Sequence, residues 1–126
     1  MANSASGDSV VDRVVRVMEA FPEGGATSLQ LSELADRAGL PLSSAHRLVR
    51  QLSEHGLLEL GAGGTVRLGL RLWELVNRNS PTLALRQAAM PFMEDIQQVL
   101  NQNVNLAVLD GWEALFVERL SRRGGR

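Results

Sequence analysis

Gly39-Leu40-Pro41 leaves almost no chain between two amphipathic segments, and this short connection constrains the fold more than any other feature. Before it, Leu31 to Ala38 places Leu31, Leu34, Ala35 and Ala38 at helical spacing, and Gly39 supplies a left-handed cap. After it, a helix is expected to run to about His55 on the apolar stripe Ala45, Leu48, Val49 and Leu52, closed by Gly56. A first helix should start near Ser9, with Asp12 three residues on as its capping-box partner. It sets Val10, Val14, Val17, Met18 and Phe21 on one face and stops at Pro22-Glu23-Gly24-Gly25.

The period changes after Gly56. Leu57-Leu58-Glu59-Leu60 and Thr65-Val66-Arg67-Leu68 read as two short strands around the turn Gly61-Ala62-Gly63-Gly64. Leu70 to Asn77 returns to helical spacing, and Asn77-Arg78-Asn79-Ser80-Pro81 breaks it. A long helix is expected over about Leu83 to Asn101, on the stripe Leu85, Ala89, Phe92, Met93, Ile96, Val99 and Leu100. Pro91 removes a bond to the Gln87 carbonyl there and should kink it. Val104 to Leu109, the turn Asp110-Gly111 and Ala114 to Leu120 form a β-hairpin. One helix and two strands cannot bury both faces of a sheet. Residues 82–126 are therefore expected to open a larger domain that is cut short, or to be covered by a partner subunit.

Composition narrows the function. Apolar residues make up 44% and charged residues 21% of 126, which fits a globular chain and neither disorder nor a membrane protein. Met1 to Gly7 is small and polar, unlike a signal peptide, so a cytoplasmic location is expected. With no cysteine there is no disulfide framework, thiolate nucleophile or Cys-ligated zinc. His46 and His55 stand more than two helical turns apart, too far to share a metal ion. Glu94 and Asp95 are adjacent and point to different sides of a helix, which excludes a facing acid/base pair. The glycine run joins strand to strand, so it is no nucleotide-binding motif. Neither an enzyme nor a cofactor is expected.

Net charge is −1 but unevenly placed. Residues 1–36 carry two arginines against six acids, and residues 87–118 carry five acids and no arginine. Residues 37–78 carry six arginines against Glu54, Glu59 and Glu74, and the last eight residues add Arg119, Arg122, Arg123 and Arg126. The middle segment is the candidate for an anionic partner.

Helix, short turn, helix and glycine-tipped hairpin make a winged helix-turn-helix, in which the third helix enters the DNA major groove and the wing follows the neighbouring backbone. Ser43 and Ser44 fall in the first turn of that helix, where hydroxyls and free N–H groups meet phosphates. His46, Arg47 and Arg50 share the face opposite the apolar stripe. Arg47 fits bidentate recognition of a guanine edge, His46 a base or phosphate, and Arg50 a phosphate one turn on. Thr65 and Arg67 are the wing contacts. An exposed helical arginine is usually only solvated. DNA is favoured because the positive surplus coincides with the reading helix and wing, and no acid interrupts that helix through Gln51. The surplus is modest, so tight binding calls for two reading heads. The alternative is a winged-helix protein-interaction or dimerisation module without DNA specificity. Trp73 reads more readily as a buried side chain than as a dimer anchor, and Trp112 as lying over a sheet edge.

Gly39-Leu40-Pro41-Leu42-Ser43-Ser44-Ala45-His46-Arg47-Leu48 followed by Leu52-Ser53-Glu54-His55-Gly56-Leu57-Leu58 resembles the IclR family of bacterial transcriptional regulators. Val66 to Leu72 resembles that family's wing-to-linker segment, and Val104 to Gly111 with Phe116 to Leu120 its opening effector-domain hairpin. The resemblance covers about Ser9 to Leu120. It implies a mainly α fold with a small β wing: a winged helix-turn-helix over 9–69 after a disordered 1–8, a linker helix over 70–81, and over 82–126 the truncated start of an α/β effector domain related to GAF and PAS sensors. It implies a regulator that binds a palindromic operator as a homodimer, with tetramers open to the full-length form. Ser43, Ser44, His46 and Arg47 would sit on the reading helix and Arg67 on the wing. Val11 and Val15 of the first helix with Leu72, Trp73, Leu75 and Val76 of the linker helix would form the dimer contact. Members repress or activate genes for degrading or taking up organic acids and aromatic compounds, under a small organic effector. Leu42 departs from the basic residue common just before the Ser-Ser pair. The pocket residues lie mostly beyond this chain, so effector binding by these residues alone is not expected.

Overall fold

The computed structural model describes residues 8–24 and 27–122. Of the disordered lead expected over 1–8, residues 1–7 lie outside them, as do Gly25 of the first helix stop and Arg123 and Arg126 of the basic tail, whereas Asp8 is described and pairs with Arg16. The elements run α1 (Val10–Glu19), β1 (Leu29–Gln30), α2 (Leu31–Ala38), α3 (Leu42–Glu54), β2 (Leu58–Leu60), β3 (Thr65–Leu68), α4 (Leu70–Arg78), α5 (Pro81–Leu100), β4 (Val104–Asp110) and β5 (Glu113–Leu120). They divide into two compact units between Leu75 and Val76, inside α4.

The capping box read at Ser9 is formed: its hydroxyl accepts from the Asp12 N–H at 3.0 Å, and the Asp12 carboxylate accepts from the Ser9 N–H at 3.2 Å. Of the expected inner face of α1, Val17 is buried and Val14, Met18 and Phe21 pack beside the core. Val10 is 57% exposed, one turn too early to reach it. The helix also ends at Glu19, so Phe21 meets the core from the following loop.

Two arginines lock α1 to α2. Arg16 Nε donates to the Ala38 carbonyl at 2.9 Å, and Arg37 Nε donates to the Ala20 carbonyl at 2.5 Å. Each cation therefore satisfies a carbonyl at the other helix's C-terminal end, where the helix dipole is negative. Asp8 joins them through an ion pair with Arg16 at 2.6 Å.

Gly39 ends α2 at φ 69, a conformation costly for any residue with a Cβ. Its N–H donates to the Asp36 carbonyl at 3.1 Å and the Leu40 N–H to the Ala35 carbonyl at 3.0 Å. The chain then enters α3 at once. Ala45, Leu48, Val49 and Leu52 are all buried, with Leu34, Ala35, Ala38 and Val17 in the same cluster. The wing strands pair as expected, with Leu58 opposite Leu68, Glu59 opposite Arg67 and Leu60 opposite Val66. A third strand, β1, pairs with β3 through Leu29 and Val66, giving the order β1-β3-β2.

Gly69 seats the start of α4. Its N–H donates to the Leu57 carbonyl at 2.9 Å, and a Cβ at this position would stand 2.1 Å from the Gly56 carbonyl oxygen. The Arg71 N–H also donates to that oxygen, at 3.2 Å.

In the second unit, Ser80 caps α5 by accepting from the Leu83 N–H at 3.2 Å, with Pro81 at the first turn, and Asn101 ends the helix in the left-handed conformation. The helix runs continuously through Pro91. The hairpin β4–β5 pairs from Val104 opposite Leu120 to Asp110 opposite Glu113, with an irregularity that leaves Val117 without an opposite residue. The expected apolar stripe does not form one buried face. Met93 is buried and Ala89 half-buried, whereas Phe92, Ile96, Val99 and Leu100 are 71%, 47%, 80% and 61% exposed and Leu85 is 43% exposed. The stripe is wide enough for two sides of a helix, and only the side carrying Arg86, Ala89, Met90, Met93 and Gln97 is turned away from solvent. Trp112 is fully exposed at the hairpin turn and covers no sheet edge.

Arg86 ties α5 to β5, with Nε 2.8 Å and Nη2 2.6 Å from Glu118 Oε2, while the Arg119 N–H donates to Oε1 at 3.0 Å. These bonds, the Arg86 side chain first, hold the Glu118 carboxyl below its ordinary value of 4.5. A lowered carboxyl pKa makes this tie complete above the ordinary glutamate range and removes it as pH falls through the folded-state value. A carboxyl-carbon titration is expected to place the Glu118 midpoint below 4.5, and Arg86→Met to raise it. A midpoint unmoved by Arg86→Met would contradict the tie. In the first unit, Gly69→Ala should cost about 1–3 kcal/mol by crowding the Gly56 carbonyl, as read by denaturant unfolding. An unchanged midpoint of unfolding would mean the junction adjusts without strain.

Candidate nucleic-acid interface

The buried stripe of α3 decides where its other residues point. With Ala45, Leu48, Val49 and Leu52 turned inward, His46, Arg47 and Arg50 are exposed, Ser43 is exposed and Ser44 half-buried. Among the described residues the Arg47 and Arg50 guanidinium groups have no hydrogen bond or ion pair, and neither does the His46 ring. Pro41 stands at the N-cap of the helix and offers no capping side chain, and the first backbone bond across the boundary runs from the Ala45 N–H to the Pro41 carbonyl at 3.0 Å. The N–H groups of the first turn are thus left for an outside oxygen, beside two serine hydroxyls. Leu42 occupies that turn and is 54% exposed.

The remaining arginines of residues 37–78 are placed differently, so only part of the positive surplus there is open to an anionic partner. Arg37 is held by the Ala20 carbonyl, Arg67 pairs with Glu59 at 2.7 Å, and Arg71 pairs with Glu74 at 3.5 Å. Among the described residues of 37–78, the positive charge free of internal partners is therefore concentrated on the outward face of α3, with Arg78 at the end of α4. On the wing, the Arg67 side chain is 64% exposed despite its partner, and Thr65 is half-buried with its hydroxyl 3.4 Å from the Ala62 carbonyl. Ser53, Glu59, Thr65, Arg67 and Arg71 line one open groove of about 620 Å³ beside the wing. Glu59 escaped the sequence reading, although counting outward from the hairpin tip places it opposite Arg67.

The apolar residues assigned to dimer contact are largely at the surface. Val11 and Val15 are 69% and 45% exposed on α1; on α4, Trp73, Leu75 and Val76 are 56%, 40% and 43% exposed and Leu72 is half-buried. Trp73 is thus not the buried side chain its size suggested. Among the described residues no cluster of His, Asp or Glu could hold a metal ion, and no helix is long and apolar enough to cross a membrane.

Fold and site together define a winged helix-turn-helix protein. Residues 10–60 match the model of the IclR helix-turn-helix domain. The chain is 39% identical over 93 residues to the transcriptional regulator KipR of Bacillus subtilis, covering 74% of this chain and 37% of that one. It is 31% identical over 120 residues to the regulator TtgV of Pseudomonas putida, covering 92% and 44%. A crystal structure of an IclR homolog from Microbacterium hydrocarbonoxydans, complexed with 4-hydroxybenzoate, superposes with a TM-score of 0.83 at 47% identity, over 94% of this chain and 49% of that one. The chain belongs to the IclR family, and it spans less than half the length of these relatives.

Because Arg47 and Arg50 hold nothing within the protein, replacing either with alanine should leave stability within about 0.5 kcal/mol of the parent. Leu48→Ala, on the buried side of the same helix, should cost about 2–5 kcal/mol. Denaturant unfolding of the three variants checks this, and a large loss for Arg47→Ala would assign that residue a structural role.

Proposed function

We propose that this chain is the DNA-reading part of a transcriptional regulator that binds a palindromic operator as a homodimer, with α3 in the major groove and the wing against the flanking backbone. The observation that carries the reading is the outward face of α3: one buried stripe fixes its direction, and His46, Arg47 and Arg50 stand on it without internal partners beside an uncapped first turn. Arg47 reads a guanine edge, Arg50 and the Ser43–Ser44 turn hold phosphates, and His46 donates to a base or phosphate. Thr65 and Arg67 act from the wing. The exposed apolar residues Val11 and Val15 on α1 and Trp73, Leu75 and Val76 on α4, with half-buried Leu72, support a dimer contact. Two reading heads then supply the affinity that one modestly charged head lacks. Such a protein acts on the nucleoid in the cytoplasm, as a regulator rather than an enzyme. The effector we assign to the whole protein is a small organic acid, often aromatic. A homolog of 47% identity complexed with 4-hydroxybenzoate supports that class. The residues 82–126 carry only the opening of the sensor.

Selection from a random DNA pool, repeated at two salt concentrations, tests the reading. An enriched inverted repeat is expected, with affinity that falls steeply as salt rises. Arg47→Ala should weaken binding to the selected site by about 1–3 kcal/mol and relax one base preference per half-site. No enrichment, with a uniform loss of binding in salt, would favour the protein-interaction module.

A further inference from the structure

Arg67 and Glu59 face each other directly across the two wing strands. The contact is made through one nitrogen: Arg67 Nε donates to Glu59 Oε1 at 2.7 Å. Among the described residues no bond involves the two terminal amines, and the arginine side chain remains 64% exposed. A guanidinium anchored by Nε keeps its outer fork of N–H donors available to a phosphate or base edge. An arginine alone on a two-stranded tip would have to give up its rotamer freedom on meeting DNA. Anchoring it to the opposite strand removes much of that loss before the encounter.

The wing makes the anchor specific. Within the hairpin Leu57–Leu68, Glu59 is the one acid and Arg67 the one base. Leu58 and Val66, the neighbours of this pair along the strands, are buried and hold both strands in register. On the basis of the function proposed above, we propose that Glu59 is a positioning residue: it orients the Arg67 fork toward the nucleic acid and touches no DNA itself. The carboxylate brings a negative charge near the phosphates, so charge and acceptor act in opposite directions and separate by substitution. Glu59→Gln keeps an oxygen acceptor at the same place and drops the charge. Glu59→Ala drops both.

Affinity for the selected operator and its salt dependence test this in four chains: the parent, Glu59→Gln, Glu59→Ala and Arg67→Ala. Arg67→Ala is expected to weaken binding about tenfold and to reduce the slope of log affinity against log salt by about 0.9, one phosphate contact. Glu59→Ala should weaken binding about threefold to tenfold, and Glu59→Gln should match or exceed the parent, because it retains the acceptor. In a fifth chain, adding Glu59→Ala to Arg67→Ala should weaken binding no further, and loss of the carboxylate charge should leave affinity equal to or slightly above that of Arg67→Ala alone. Tighter binding by both Glu59 variants would overturn the proposal and make Glu59 a restraint on Arg67. Equal affinity in all four chains would overturn it by removing Arg67 from the interface. A parent without sequence-selective binding would instead sink the proposed function itself. Unfolding midpoints of the Glu59 variants should stay with the parent, since both partners are exposed side chains.

Discussion

Burial of Ala45, Leu48, Val49 and Leu52 holds α3 by one face, and most of what this chain can do follows from that grip. A 13-residue helix carries little stability alone and takes its orientation from what it packs against. Here it packs against α1, α2 and the first wing strand, whose Val17, Leu34 and Leu58 share one cluster with Val66 of β3, all four all but inaccessible to solvent. Once that side is fixed, the positions between the buried residues have only one direction to point. His46, Arg47 and Arg50 are exposed for this reason and not through any attraction within the protein.

Charge is distributed in a way that serves the same geometry. The arginines at 16 and 37 close helix ends, those at 67 and 71 pair with neighbouring glutamates, and those at 47 and 50 are left unpaired. A count of positive residues along the middle of the chain treats all of these alike. Placement divides them into groups that build the domain and groups that face outward. The second difference lies at helix starts. Ser9 and Ser80 cap α1 and α5, whereas α2 and α3 begin without a capping side chain, and in α3 the uncapped end lies beside exposed Ser43 and half-buried Ser44.

Much of the winged domain was legible because its signals are local. Ser9 with Asp12 marks a helix start, Gly39 a helix end, and the alternation after Gly56 a hairpin, and each depends on residues within a few positions of one another. What the sequence hid depends on distant contacts. Two residues at Leu29–Gln30 are too few to show alternation, so β1 appears only when β3 is there to pair with it. The stripe on α5 was visible as apolar but not as two-sided, because periodicity cannot tell which apolar positions find a neighbour. Trp73 follows the same rule: size argues for burial, yet its position on α4 leaves it 56% exposed. The exposed side of α3 is legible in the spacing of its apolar residues. Glu59 was missed because its meaning depends on the residue across the hairpin.

The central claim is that Arg47 reads a guanine from the major groove, and replacing single guanines of the selected operator with 7-deazaguanine tests it most directly. That change removes the N7 acceptor and leaves Watson–Crick pairing intact. The account requires one guanine per half-site at which the replacement weakens the parent protein and has no further effect on Arg47→Ala. Equal losses for both proteins at every guanine would show that Arg47 takes no base edge, and the placing of α3 in the major groove would then have to be given up.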